Sequence, residues 1–304
     1  MNASLAKLHR RLALALEHDD WDAVVAALDA RGSGAAAKGA DPGTARNADK
    51  QLVAKLIRTH FADRPRDVSK WCKALLNGSS HNAREVGLLL LPDVYALHPI
   101  YAQRQLLAQA DNPNWEVREF AGSMTGRILD AHFDEFYPVL KKWTRHPSEN
   151  VRRAVVIASM EAADATQPAR GPKLLRLLDP LMRDSARYVR VNLGQFAVSL
   201  SLLKHYPDLT LKWLEAQSRK ADENARWNVA MVWSAVGGRK HAEAGARLLH
   251  RLAADERRFV WRAVASAAVK LGRARPDVIK PLARKWRSDA KRKHAAAVVA
   301  YYLR

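Results

Sequence analysis

Asn150-Val151-Arg152-Arg153-Ala154 is the stretch on which the fold turns, because it recurs along the chain. Aligned on its first arginine, it matches Asn82-Ala83-Arg84-Glu85-Val86 and Glu116-Val117-Arg118-Glu119-Phe120 upstream. Downstream it matches Tyr188-Val189-Arg190-Val191-Asn192, Asn224-Ala225-Arg226-Trp227-Asn228 and, with Trp261 in the arginine's place, Phe259-Val260-Trp261-Arg262-Ala263. The steps along this column are 34, 34, 38, 36 and 35 residues, a period at which one supersecondary unit repeats. Each segment reads as the start of a helix, and each interval holds room for a second amphipathic helix. Those second helices are expected at Phe133–Trp143, Pro172–Met182, Leu209–Arg219 and Ala242–Ala253. Apolar residues keep helical spacing almost everywhere, as in Leu174, Leu175, Leu177, Leu178 and Leu181, so the chain reads as all-α. A helical hairpin is expected over residues 2–30, followed by a flexible Gly/Ala-rich loop at 31–48; together they make an N-terminal segment, 1–48. Residues 49–304 then form one continuous repeat domain with the N-terminal helices packed on it.

The x-V-R-x-A helix opening, after Asp111, Asp184, Asp222 or Asp255, resembles the HEAT repeat, in which paired antiparallel helices stack into a curved solenoid. That resemblance implies a superhelical stack with a basic concave face. In such a stack the arginine column (Arg84, Arg118, Arg152, Arg190, Arg226) has two readings, a ladder bonded to aspartates of its own or the next repeat, or a row of ligand contacts. The adjoining column changes chemistry from repeat to repeat, running Glu85, Glu119, Arg153, Val191, Trp227 and Arg262, and so is the better place to look for function.

Composition narrows the partner. The 304 residues hold 51 Lys and Arg against 31 Asp and Glu, a net charge of +20, which favours a polyanion. Fourteen glycines and thirteen prolines are too few for a turn-rich β protein. The longest apolar run, around Leu88–Leu91, is too short to span a bilayer, and the opening residues lack the apolar core of a signal peptide. The single cysteine, Cys72, cannot form an intrachain disulfide and fits a reducing cytoplasm. None of the eleven histidines is four residues from another, so no zinc helix is expected, and neither metal nor cofactor is. The glycines from Gly32 to Gly39 lack the Lys-Ser/Thr ending of a phosphate loop.

Asn114-Trp115-Glu116-Val117-Arg118-Glu119-Phe120-Ala121 is the segment fit for chemistry. Trp115 and Glu119 are four residues apart, hence on one helical face, just after Pro113. An indole offers its π face to a cationic heteroaromatic ring, and a carboxylate steadies positive charge that develops during bond cleavage. The alternative is a core tryptophan beside a surface acid paired with Arg118 or Arg153.

Together with Trp143–Ala154 and the Arg84-Glu85 helix opening, this segment resembles the HEAT-like-repeat DNA glycosylases, the DNA alkylation repair proteins of the AlkD and AlkC type, over roughly residues 50–270. The resemblance implies excision of cationic N3- or N7-alkylated purines from double-stranded DNA by a monomer associated with the nucleoid of a bacterial-type cytoplasm. In the AlkD-type enzymes a helix carries a Trp and, four residues on, an Asp; Trp115 matches the first and Glu119 stands in place of the second. Their DNA-contacting Arg falls here on Arg153. A second tryptophan of that site would fall near Gln195, within Leu193-Gly194-Gln195-Phe196, where this chain has none.

DNA contacts are expected from Arg153, Arg118, Arg152, Arg190, Gln195, Trp227 and Arg262. Residues 273–293 add nine cations against Asp277 and Asp289. Neutralising about 6 phosphates gives a log–log salt slope near −5. Core packing competes with base stacking as the role of Trp233 and Trp261, whereas Trp227 stands in the variable column. Two other functions fit the same composition: a non-enzymatic solenoid that recognises damaged, bent or branched DNA, and a scaffold for an acidic protein.

Overall fold

The structure is a computed structural model that describes residues 3–32 and 43–303; of the loop expected at 31–48, residues 33–42 lie outside the described residues. Every regular element among the described residues is helical, as the repeat requires. The chain divides into two compact units, Met1–Ile128 and Leu129–Arg304.

The first unit holds α1 (Ala3–Glu17), α2 (Trp21–Gly32), α3 (Asn47–His60), α4 (Pro65–Asn77), α5 (His81–Tyr95), α6 (Pro99–Ala110) and the opening of α7 (Trp115–Ala131). The second holds α8 (Phe133–Trp143), α9 (Glu149–Glu161), α10 (Arg170–Leu181) and α11 (Arg187–Asn192). A π-helical segment, Leu193–Leu202, carries α11 into α12 (Leu203–His205), followed by α13 (Pro207–Ser218) and α14 (Glu223–Val232). A short 3-10 turn, Val236–His241, leads to α15 (Ala242–Leu252), α16 (Arg258–Ala274), α17 (Pro276–Arg287) and α18 (Lys293–Tyr302). The predicted hairpin is α1 and α2 packed on each other, and the four predicted second helices are α8, α10, α13 and α15.

Two kinds of start signal alternate along the chain. Proline occupies the first turn of α4, α6, α13 and α17, where its missing N–H is no loss. Four of the five arginine-bearing helices, all but α11, start instead on a side-chain cap. Ser80 accepts from the Ala83 amide, Ser148 from Asn150 and Asp222 from Ala225. In the second unit the helices form two layers. Helices α10, α13, α15 and α17 pack each on the next, and α9, α11 with its π-helical continuation, α14, α16 and α18 do the same. Neither layer buries its apolar side alone; Leu174, Leu178, Val155, Val229, Leu249, Val264, Trp233 and Trp286 are all fully enclosed between them. Gly194 lets the π-helical segment approach α14 closely, since a Cβ there would lie 2.7 Å from the Asn228 carbonyl oxygen.

The arginine column is a ladder. Arg152 donates from Nη1 to the carbonyls of His146 and Pro147, both at 2.8 Å, closing the turn before its own helix. Its Nε and Nη2 reach both carboxylate oxygens of Asp184 in the next repeat, at 2.5 and 3.1 Å. Arg226 repeats the arrangement, bonding the Lys220 carbonyl at 2.7 Å and Asp255 at 2.7 Å. Arg84 and Arg118 grip the carbonyls of Gly78 and of Asn112 and Pro113. In the rung of Arg190 the partner is the amide oxygen of Asn224.

A second ionic element sits in the core of the first unit. Lys50 on α3 and Glu85 on α5 form an ion pair with both side chains almost completely buried. Burial pushes the Glu85 carboxyl up to about 7, against the pull of the Lys50 ammonium and with Glu116 adding to the rise. The Lys50 ammonium also lies 5.4 Å from the centre of the Phe120 ring on α7.

Two expectations follow. Burial alone would raise the Asp255 carboxyl, but hydrogen bonds from Arg257 and Arg226 outweigh it and hold it at about 2, below its ordinary 3.8. A carboxyl depressed in the folded state contributes fully above its unfolded value, and the contribution fades as pH falls through the folded one. Urea unfolding at a series of pH values will therefore show stability declining between about pH 4 and pH 2. Asp255→Asn will be less stable at neutral pH and will decline less over that window; parallel profiles for the two proteins would refute the ladder's role. Lys50→Met leaves a buried carboxyl without its cation and will cost about 3–5 kcal/mol in the same assay, whereas Lys50→Met combined with Glu85→Leu will recover most of the loss.

Candidate functional site

Helix α7 begins at Trp115 because the three residues before it form a fixed turn. Asn112 Oδ1 accepts from the Asn114 amide at 2.9 Å, and Asn112 Nδ2 donates to Gln109 Oε1 at 2.8 Å. Asn114 caps the helix, its Oδ1 accepting from the amides of Glu116 at 2.9 Å and Val117 at 3.2 Å. Arg118 ties the same turn from inside the helix. The result presents Trp115 at the surface, 41% exposed, with Glu119 half-buried one turn further along the same face. An exposed large aromatic at a helix start is a poor use of a core residue, so the core reading of Trp115 does not hold.

Three carboxylates share this region of the first unit, in different states. Glu85 is buried against Lys50, and Glu116 accepts a hydrogen bond of 2.8 Å from the Thr44 hydroxyl. Glu119 is the acid that stands in line with the indole. Phe120, the next residue, rests against the Lys50 ammonium, so the buried ion pair fixes the turn of helix that carries both candidate groups.

The remaining predicted contacts belong to the second unit. Arg153 is only 5% exposed, its guanidinium 4.5 Å from the centre of the Tyr188 ring. Arg152 is engaged in the ladder with Asp184. Arg190 lies 5.4 Å from the centre of the Trp227 ring and 4.8 Å from that of Phe259, and these two rings stack at 5.9 Å with 13° between their planes. Burial lowers the pKa of the Arg190 guanidinium, with Asp184 and Glu223 opposing. Trp227 and Arg262 line one cavity. Trp233 is completely buried, as packing predicts, whereas Trp261 is half-buried and stacks on His294 at 5.4 Å.

Gln195 is half-buried on the π-helical segment, and its neighbour Phe196 is 46% exposed, with Leu200 exposed four residues on. π-helical turns are rare and are frequent at functional sites. Sequence reading did not single out Phe196, nor Lys50, Tyr188, Phe259 and Arg258. Lys50 had a signal: it precedes Glu85 by 35 residues, one repeat period, and so begins the variable column. Its repeat was masked because Asp49, not arginine, stands in the ladder position, where Arg31 binds it at 3.1 Å.

Among the described residues no group of three or more His, Cys, Asp or Glu side chains is placed to hold a metal ion, and no helix is long and apolar enough to cross a membrane. No curated protein matches the chain. A crystal structure of smu.31 from Streptococcus mutans UA159 is similar at 12% identity and a TM-score of 0.29, covering 84% of this chain and 99% of that one. The family model described as DNA alkylation repair enzyme matches residues 43–230. That span takes in the capped turn, Trp115, Glu119 and the ladder from Arg84 to Arg226, and the chain belongs to the DNA alkylation repair enzyme family.

Proposed function

We propose that this chain is a DNA glycosylase that excises cationic N3- or N7-alkylated purines from double-stranded DNA, working as a monomer in the cytoplasm without metal or cofactor. The observation that carries the reading is the exposed indole of Trp115 with Glu119 in line behind it, on a helix start held by Asn114 and Arg118. A family whose members repair alkylated DNA supports the substrate class.

The chemistry suits so small a site. An alkylated purine already carries positive charge, so it leaves with the electron pair of the C1′–N bond as a neutral base and needs no protonation. The sugar left behind has oxocarbenium character. Glu119 stabilises that charge and accepts the proton of the water whose oxygen bonds to C1′, while Trp115 packs its π face against the lesion or the sugar. Surplus cations hold the duplex by its phosphates, which makes affinity steeply dependent on salt.

A second reading has its own observation. Gln195 stands where the resemblance puts a second tryptophan, which favours a protein that recognises damaged, bent or branched DNA by shape without cutting it.

One assay separates them. Duplex DNA containing N-methylpurines is incubated with the protein, and free base and abasic sites are measured. Wild type will release base above the spontaneous rate, Glu119→Gln will lose about 100-fold, and Trp115→Ala will be impaired while still binding DNA. Absence of release by wild type overturns the glycosylase reading in favour of the second. Equal release by all three proteins overturns the assignment of Trp115 and Glu119.

A further inference from the structure

Within the second unit, helices α14, α16 and α18 leave two adjoining cavities. The larger, of about 600 Å³, is lined by Trp227, Met231, Arg258, Phe259 and Arg262 among others. The smaller, of about 440 Å³, lies along α16 and is lined by Trp261, Arg262, Lys270, Arg273 and Tyr302, with Val298 from α18. Arg262 and Ser266 line both, so the two form one groove with a guanidinium and a hydroxyl at its waist.

Its chemistry differs from that of the ladder beside it. Arg226, Arg257 and Arg275 are all bound to carboxylates. Arg258, Arg262, Lys270 and Arg273 have no carboxylate partner among the described residues, and neither cavity is lined by an acid. Four cations without counter-ions hold an anion-binding potential in reserve. The groove also presents flat rings: the stacked, half-exposed pair Trp227 and Phe259, half-exposed Trp261, and Tyr302 at 55% exposure. Arg190, itself bonded to Asn224, holds the first pair in place from the preceding repeat, so little side-chain freedom remains to be lost when a ligand arrives.

Cations alone would suit the outside of a duplex, but stacking rings cannot engage a base that is paired and stacked on both faces. An unpaired nucleotide uses both features at once, its base against the rings and its phosphate on the cations. The larger cavity has the size of an ordinary small-molecule site, a few hundred Å³. We propose that this groove binds an unpaired nucleotide of a DNA strand, with the base packed on Trp227 and Phe259 and its phosphate held by Arg258 and Arg262. The next phosphate of the same strand lies at Lys270 and Arg273. The groove thereby makes the protein prefer DNA in which a base has lost its partner. This rests on DNA as the partner and not on bond cleavage at Trp115 and Glu119.

The test is a binding measurement with the full chain. The probe is a short duplex with a single unpaired 2-aminopurine, set against the same duplex fully paired, at several salt concentrations. Wild type will bind the bulged duplex more tightly and quench its fluorescence. Quenching will persist in Trp115→Ala and be lost in Trp227→Ala, with roughly 5- to 150-fold weaker binding of the bulged duplex. Arg262→Gln, a surface change that spares the fold, will weaken the bulged complex and reduce the magnitude of its salt slope by about 1. The proposal is overturned if wild type binds both duplexes equally or if quenching is lost in Trp115→Ala and kept in Trp227→Ala. It is also overturned if an oligoglutamate peptide displaces the bulged duplex as well as DNA of equal charge does, which would make the groove a site for an acidic peptide. Because no arm measures base release, failure here leaves the excision assay to be judged by itself.

Discussion

The guanidinium of Arg152 makes four hydrogen bonds, two to the turn before its own helix and two to Asp184 of the following repeat, and this pattern is what allows the other layers of the structure to vary. A pair of helices cannot bury its own apolar face, so each repeat is stable only against a neighbour held at the right height. Apolar contact is non-directional and does not set that height. A planar, five-donor group that reaches carbonyls on one side and a carboxylate on the other does, because its geometry is rigid and its charge is not lost at any physiological pH. Asp184 and Asp255 serve a second end at the same time by accepting from the amides of Ala186 and Arg257, so the residue that receives one repeat also starts the next.

Because the ladder column is occupied in this way, the column beside it is not needed to tie each turn to the next and diverges. It begins with Lys50 and Glu85, which form a buried pair, passes through Glu119 and Arg153, and ends at Trp227 and Arg262. One register position thus supplies a core ion pair, a candidate catalytic acid, a cation on an aromatic ring and two walls of a groove. The contrast between Arg152 and Arg153 makes the point in adjacent residues. The first reaches a carboxylate of the next repeat, while the second is buried with its guanidinium over the Tyr188 ring.

Much of this is legible in the sequence. The period of the arginine column locates the helix starts, and the capping residues Ser80, Asn114, Ser148 and Asp222 confirm them by a mechanism that acts over three residues. Trp115 at a helix start is equally local. What escaped is what depends on partners far apart in sequence. Lys50 meets Glu85 across 35 residues and is hidden because its own repeat puts Asp49 in the ladder position. The stacking of Trp227 on Phe259 is set by the distance between α14 and α16, which no spacing rule encodes. The π-helical segment has only weak local signals, Gly194 and the long step before Arg190, and it is this segment that exposes Phe196 beside Gln195.

The placement of acids in so basic a chain carries the last step. With a net charge of +20, a carboxylate is drawn toward cations wherever it stands, and many of those described here are held by arginine or lysine. In the first unit local groups set these partners. Lys50 is sequestered with Glu85 in the core, Arg118 is turned back onto the carbonyls of Asn112 and Pro113, and Glu116 is bound by a neutral hydroxyl. Trp115 and Glu119 thus stand one turn apart on a helix whose start is held by Asn114 and Arg118. The same local bonds that start and hold α7 thus set where its acids stand within a chain of strong net positive charge.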